Sequence, residues 1–278
     1  LAASDQIAQV ATGWQPPVDR AQYQTVWRGQ AYYSSGEAIY RYDGTSSALV
    51  FPSSRTEEVI EFQQQLYFTD KPTDNYPYFG TTRLNVAADN SGFSQVSIDA
   101  GGWNIDDITD LRQVGNNLYF LTEESIFTPG PSLGCCFTFR SGAYRFDGNQ
   151  VFPLEYWQHP DGSPSLLGRA YGDGLYRQAA ALGGALIFTD HERLYRTGSG
   201  SDAITTLREL PIVDYFNFQY LSTVGDRVYC AVNDGNSGYE IWTTDGTPGG
   251  TRVLRDIVAG VAGSCPEYAV EADGKAYC

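Results

Sequence analysis

The sequence has no methionine, only two histidines, and only 18 lysines and arginines against 33 aspartates and glutamates. Each scarcity excludes something. Two histidines rule out a multi-histidine metal site and leave a Ser-His-Asp triad only His159 or His191 to build on. His191, in TDHERLY, reads as a solvated turn residue, and His159, in YWQHPDG, as a loop or ligand contact. A formal charge of -15 and a pI near 4.4 repel phosphate backbones and anionic lipid surfaces, so nucleic acid is not an expected partner. No apolar run of 18 residues occurs, which leaves no membrane-spanning helix to expect. Helical periodicity is almost absent as well. The G-x-S-x-G elbow, the P-loop and a G-x-G-x-x-G ahead of a helix are all missing. The opening LAAS fits the mature end of an exported chain.

Five cysteines, at 135, 136, 230, 265 and 278, lack the C-x-x-C spacing of a zinc ribbon or a redox helix. The neighbours Cys135 and Cys136 are candidates for a vicinal disulfide, with two reduced thiols as the alternative. Cys230 and Cys278 hold equivalent second-strand positions and are expected not to be bonded to each other.

What is present is a repeat. RGQAYY (28–33), QQQLYF (63–68), GNNLYF (115–120), GGALIF (183–188), GDRVYC (225–230) and DGKAYC (273–278) each lead a polar or glycine-containing turn into apolar, aromatic-rich residues. Each follows another extended run, so six hairpins are expected. After five of them comes a second strand-turn-strand unit, as in AIYRYDGTSSALVF, AYRFDGNQVFPL and EIWTTDGTPGGTRVL. Hairpin plus hairpin, repeated, predicts four-stranded antiparallel blades. The expectation is a single domain over residues 1–278: an all-β propeller of six blades, the last incomplete and closed by a strand from Ser4 to Trp14, or else by a partner strand.

The most motif-like stretch, GYEIWTTDGTPGGTRVLRDI (Gly238 to Ile257), resembles the ELWxxDGT repeat of bacterial secreted and surface proteins. The match is close only over Glu240 to Ile257, with Ile241 in place of leucine; the first unit keeps YDGT (Tyr42 to Thr45) and the third FDGN (Phe146 to Asn149). The resemblance implies a propeller-like repeat fold outside the cytoplasm and no catalytic residues. Trp242, where Tyr40, Tyr144 and Tyr195 recur, reads as a packing aromatic.

Function is expected in loops. The segments 70–81, 100–106, 122–142, 155–174 and 211–218 read as long connections on one face. They carry Tyr76, Tyr78, Phe79, Trp103, Phe127, Phe137, Phe139, Tyr156, Trp157, His159 and Tyr215, either as a recognition surface or as a small core folded over the scaffold. Asp106 with Asp107 and Glu123 with Glu124 are carboxylate pairs, but neighbours on a strand point to opposite faces and make poor acid and base partners. NDGNSGYE offers Asp234, Asn236 and Glu240 as a fragment of a calcium loop, or as an ordinary glycine-rich turn. No other cofactor is expected. The resulting expectation is an extracellular, surface or periplasmic binding module that grips a protein partner. The alternative is a lectin or carbohydrate-active enzyme using the loop aromatics and carboxylates.

Overall fold

Two-residue turns join the first two strands of each four-stranded sheet. The structure, a computed structural model, describes residues 24–56, 58–71, 81–129, 135–154, 178–189, 193–198, 202–211, 218–264, 266, 269–272 and 275–277. Sheet one runs β1 (Gln24–Trp27), β2 (Gln30–Ser34), β3 (Gly36–Tyr42) and β4 (Ser47–Thr56) in sequential order. Sheet two repeats this with β5 (Val59–Phe62), β6 (Gln65–Asp70), β7 (Arg83–Asp89) and β8 (Gly92–Gln95). Sheet three is β9 (Asn104–Val114), β10 (Asn117–Pro129), β11 (Cys135–Phe146) and β12 (Val151–Pro153). Sheet four is β13 (Ala179–Leu182), β14 (Ala185–Thr189), β15 (Arg193–Thr197) and β16 (Ile204–Glu209). Sheet five is β17 (Phe218–Val224), β18 (Arg227–Asn233), β19 (Tyr239–Thr244) and β20 (Arg252–Arg255). A two-stranded sixth sheet holds β21 (Val270–Ala272) and β22 (Lys275–Tyr277). The described residues are all-β and contain no helix.

All six expected hairpins form. Their tightness follows from backbone chemistry: both central residues of Arg28–Gly29, Gln63–Gln64 and Gly183–Gly184 have positive φ, as the hairpin turn that matches strand twist requires. Gln64 adopts φ 64° without the freedom of glycine, and its amide donates to Glu61 Oε1 at 2.6 Å.

The chain divides into two compact units, Leu1–Leu111 with Phe120–Phe152, and Arg112–Tyr119 with Pro153–Cys278. In the first, Trp27, Tyr32, Ile39 and Phe51 of sheet one pack on Val59, Leu66, Phe68 and Ala87 of sheet two. The other face of sheet two meets Phe146 of β11, whose ring centroid lies 5.5 Å from Tyr67 and 6.1 Å from Phe62. Sheet two is therefore covered on both faces. That is why β6 reads as a continuous run of buried residues, Leu66 to Thr69, and not as an alternation. In the second unit, Leu182, Ile187, Leu194 and Leu207 of sheet four pack on Phe218, Val228, Cys230, Val232 and Trp242 of sheet five. The far side of sheet five contributes Tyr220 and Ala231 to a smaller cluster with Ala269.

One cross-strand pair recurs at the same place. Tyr33 stacks on Tyr40 at 5.5 Å, Phe120 on Tyr144 at 5.4 Å, and Phe188 lies against Tyr195 at 5.2 Å. In sheet five the corresponding partners are Cys230 and Trp242. The largest side chain takes the third-strand position there, and a small one fits beneath it. Trp242 is thus a packing residue, 3% exposed, with Arg208 over its ring at 5.2 Å. Cys230 is a free thiol pushed up to about 12 by burial, which makes it a small apolar filler and not a nucleophile.

One sequence expectation is corrected. Residues 122–142 are not a long loop, because β10 extends to Pro129 and β11 begins at Cys135. Phe127, Phe137, Phe139, Cys135 and Cys136 therefore lie on strands. The alternating aromatic and β-branched residues of ESIFT and CCFTF favour extended backbone. Likewise Asn104 to Asp106 open β9 and do not close a loop.

Candidate functional site

The motif that looks most like chemistry turns out to be scaffold. Glu240 on β19 is fully buried, and its carboxylate accepts the amides of Ile257 (3.1 Å), Val258 (3.0 Å) and Ser264 (3.0 Å) and the Ser264 hydroxyl (2.6 Å). Burial alone would raise its pKa, but these donors outweigh that and hold it below the ordinary carboxylate range. Five residues on, Asp245 Oδ1 accepts the amide and hydroxyl of Thr247 at 3.0 and 2.7 Å, closing a turn in which Gly246 has φ 82°. Thr251 donates to the Thr247 carbonyl at 2.7 Å, and its hydroxyl lies 2.7 Å from that of Thr244, which accepts the Gly246 amide. The side chains of Glu240, Thr244, Asp245, Thr247 and Thr251 are thereby committed to holding local structure, while Trp242 Nε1 and Thr243 Oγ1 are buried without a hydrogen-bond partner.

The calcium candidates separate in the same way. Asp234 Oδ1 accepts the Asn236 amide and both the amide and hydroxyl of Ser237, each at 2.9 Å, forming a local turn. Glu240 serves a different segment, as above. Among the described residues no three acidic, histidine or cysteine side chains converge on a metal position.

Most of the aromatic surface expected from sequence falls outside the described residues: Tyr76, Tyr78, Phe79, Tyr156, Trp157, His159 and Tyr215. The backbone of Phe127, Phe137, Phe139, Cys135 and Cys136 is placed on β10 and β11, and their side chains fall outside the description. Trp103 is the exception. It is half-buried and follows a tight turn in which Asp99 Oδ1 accepts the Gly101 amide at 2.9 Å, Gly101 and Gly102 have φ 62° and 88°, and its own amide donates to the Ala100 carbonyl at 3.3 Å.

Three residues after Trp103 the structure gathers charge that the sequence had paired differently. Asp106 on β9 lies within electrostatic reach of Glu123 and Glu124 on β10 and of Lys71 at the end of β6. Burial raises the Asp106 pKa above the ordinary carboxylate range. The Ser125 hydroxyl and Lys71 pull it down, and the two glutamates push it up. Its backbone carbonyl accepts the Thr82 hydroxyl at 2.8 Å, tying β9 to the entry of β7. Oδ2 of Asp106 and Oγ of Ser125 are both sealed from solvent without a well-formed hydrogen bond. Glu124, fully buried, faces away into a separate network, accepting Thr122 Oγ1 at 2.8 Å and Tyr144 Oη at 2.5 Å on one oxygen.

Sequence reading missed a second buried carboxylate. Glu58, 5% exposed, accepts the amides of Asp110 and, at 2.6 Å, of Leu111, where Asp110 has φ 58° in the middle of β9. Its own amide donates to Thr69 Oγ1 at 3.0 Å. This pins the first strand of sheet three to the start of sheet two.

No family model and no curated protein matches the chain. Among solved structures it is similar to the extracellular domain of a putative one-component system of B. thetaiotaomicron, at 10% identity and TM-score 0.51, covering 83% of this chain and 28% of that one. It is also similar to a puromycin-hydrolyzing peptidase of Mycobacterium tuberculosis, at 15% identity and TM-score 0.50, covering 82% and 35%. The chain thus spans about a third of the length of these two proteins, and the likeness is one of fold: consecutive four-stranded antiparallel sheets, propeller-like in kind.

Proposed function

We propose that this chain is an extracytoplasmic β-propeller of six blades, related to the ELWxxDGT-repeat proteins, that binds a protein partner without catalysing a reaction on it. The observation that supports this reading is the asymmetry of the sheets. At one end of each four-stranded sheet the first two strands are joined by a two-residue turn, as at Arg28–Gly29, Gln63–Gln64 and Gly183–Gly184. At the other end of sheets two and three leave the segments 71–82 and 154–178, with Trp103 and Asp106 at the same end. Antiparallel order places them there, since a strand pair closed tightly at one end opens at the other. The carboxylates of Glu240 and Asp245 in the strongest motif hold backbone, which agrees with a scaffold carrying a recognition surface.

The test is isolation of the protein from its native source with identification of what accompanies it, alongside a glycan array. A single protein partner, lost on Trp103→Ala, is the expected result. Glycan binding lost on the same substitution, with no protein partner, would replace this reading by the carbohydrate one.

Six blades imply closure of the last, and the run Ser4 to Trp14 is the strand proposed to provide it. Deleting residues 1–14 is expected to lower the melting temperature and to promote self-association in sedimentation. An unchanged, monomeric protein would refute closure by that segment.

A further inference from the structure

Nearly the same four residues occur twice at one structural position, covered once and bare once. On β16, the sequence LREL (Leu207 to Leu210) starts at a bulge: Tyr195 pairs with Thr206 and Leu194 with Arg208, which leaves Leu207 as the extra residue. On β20, the sequence LRDI (Leu254 to Ile257) starts at the matching bulge, since Trp242 pairs with Val253 and Ile241 with Arg255. Sheet one has the bulge as well, with Val50 as the extra residue before Phe51. In sheet four the bulge turns its residues toward sheet five. Leu207 and Leu210 are buried in the core they share with Phe218, Val228 and Trp242, and the Arg208 guanidinium lies 5.2 Å over the Trp242 ring. In sheet one, Phe51 stacks on Phe68 of sheet two at 5.6 Å and meets Phe93 edge-on at 5.6 Å. Wherever this bulge is covered, an aromatic ring of the next sheet covers it.

For sheet five the next sheet is the sixth, which meets it where Ala269, just ahead of β21, packs on Tyr220 and Ala231. Among the described residues sheet six has two strands, and none pairs with the edge of β22 that faces away from β21. A third strand, which carries the covering indole in sheet five, is therefore not placed over β20. The exposures record the difference: Leu254 is 54% and Ile257 55% exposed, against 4% and 5% for Leu207 and Leu210. Arg255 is exposed too. Glu240 holds the amides of Ile257 and Val258, so this apolar surface is ordered before anything docks on it, which lowers the entropy cost of binding.

The covered copies define the occupant: an extended segment that pairs with β22 through its backbone and lays an aromatic ring on Leu254 and Arg255. Ser4 to Trp14, proposed above to close the last sheet, amounts to one strand, whereas sheets one to five each add two beyond the first hairpin. Residues 1–23 also contain no Asp-Gly turn of the kind that follows Tyr40, Tyr144 and Trp242 and makes the outer hairpin. We propose that a β-strand of the protein partner lies beside β22, continuing the contact between sheets five and six, with an aromatic side chain packed on Leu254 and Arg255. This rests on the reading of the chain as a protein-binding module and names the backbone form and the side chain its partner must bring.

The experiment titrates the full chain with a synthetic peptide, GYEIWTTDG, that copies the chain's own third strand at 238–246. The Leu254 and Ile257 methyl groups and the 275–277 amides are followed by NMR. Saturable binding that moves both sets of signals is expected. A peptide with alanine in place of the tryptophan should bind about tenfold more weakly, as loss of a packed ring predicts. In the chain, Leu254→Asp should also weaken binding about tenfold, whereas Leu49→Asp, at a comparably exposed leucine on β4, should leave it unchanged. Because Leu254 is exposed, its variant keeps the fold, which amide spectra check. No saturable binding, equal binding by Leu254→Asp, or the same loss with Leu49→Asp overturns the proposal. Binding that appears only after deletion of residues 1–14 would assign the place to the chain's own segment, and self-association abolished by Leu254→Asp would assign it to a second copy; either result overturns the proposal as well. A native partner that binds Leu254→Asp at full strength would overturn it while leaving the module reading intact, whereas the absence of any protein partner would defeat that reading first.

Discussion

Replacing Glu240 by alanine is expected to cost about 2–4 kcal/mol of stability, because four hydrogen bonds to a carboxylate disappear and three amides of the 256–264 loop lose their acceptor. Partial hydration of that loop, whose Ile257, Val258 and Val261 are exposed, keeps the loss from being larger. Glu240→Gln separates shape from charge, since it retains one acceptor oxygen and forfeits the other. It should fall between the wild type and the alanine variant at neutral pH. The pH dependence has a definite sign. Glu240 titrates lower in the folded chain than in the unfolded one, so its stabilisation is present above the ordinary glutamate range near 4.5 and is lost as pH falls through the depressed folded value. The difference in chemical-denaturation midpoint between wild type and Glu240→Gln should therefore be widest near neutrality and shrink in acid. A constant difference from pH 7 to pH 3 would show that the carboxylate's charge does not hold the loop.

The same loop explains two glycines. Gly238 has φ 65°, and a Cβ there would lie 2.6 Å from the Gly263 nitrogen and from the Val261 carbonyl oxygen. Gly263, at φ 63°, is blocked in turn by the backbone of Tyr239 and Gly238. Backbone rests directly on backbone, and the Ser264 amide donates to the Tyr239 carbonyl at 2.9 Å. The E, W and DGT positions of the repeat can then be read as physics: a carboxylate that clamps the following loop, an indole that fills the inter-sheet core, and a turn with its own acceptor.

This shows what the sequence makes legible and what it hides. The hairpins were readable because their signals are local: glycine or a polar pair at the turn, alternating aromatics beside it. Trp242 as a packing residue was readable from its recurrence as Tyr40, Tyr144 and Tyr195. The extent of β10 and β11 was misjudged because Pro129, Gly130 and Pro131 suggested a loop extending well beyond them, whereas the flanking aromatic and β-branched residues continue the pairing. Glu58 was invisible because its acceptor role depends on amides more than fifty positions away. The Asp106–Ser125 juxtaposition was available in principle, since counting outward from a two-residue turn at Gly115–Asn116 places 106 opposite 125. Pairing carboxylates by sequence adjacency instead directed attention to Asp107, which accepts its own neighbour's amide, from Ile108, at 2.9 Å.

Gly142→Ala should be as damaging as the loss of Glu240, and for a reason no local rule supplies. Gly142 on β11 occupies the position that Glu240 holds on β19, counted from Asp147 and Asp245 of the two turns. The space a side chain would take there is filled by Glu124 from the adjacent strand. A Cβ at 142 would meet Glu124 Oε1 and Thr122 Oγ1 closer than real Cβ atoms approach anything, and Tyr144 Cε2 at 2.8 Å. None of these can yield, since Glu124, Thr122 and Tyr144 are each fully buried and hydrogen-bonded to one another. A cost of about 3 kcal/mol is expected, from overpacking together with strain on the Glu124 hydrogen bonds. Truncating Thr122 and Glu124 to alanine empties that space, so adding Gly142→Ala to the double variant should cost far less than it does in the wild type. Denaturation midpoints of the four proteins in the cycle measure the coupling directly. Strict additivity would mean that Gly142 is required by the backbone of β11 alone, and that the carboxylate of Glu124 is not what excludes a side chain there.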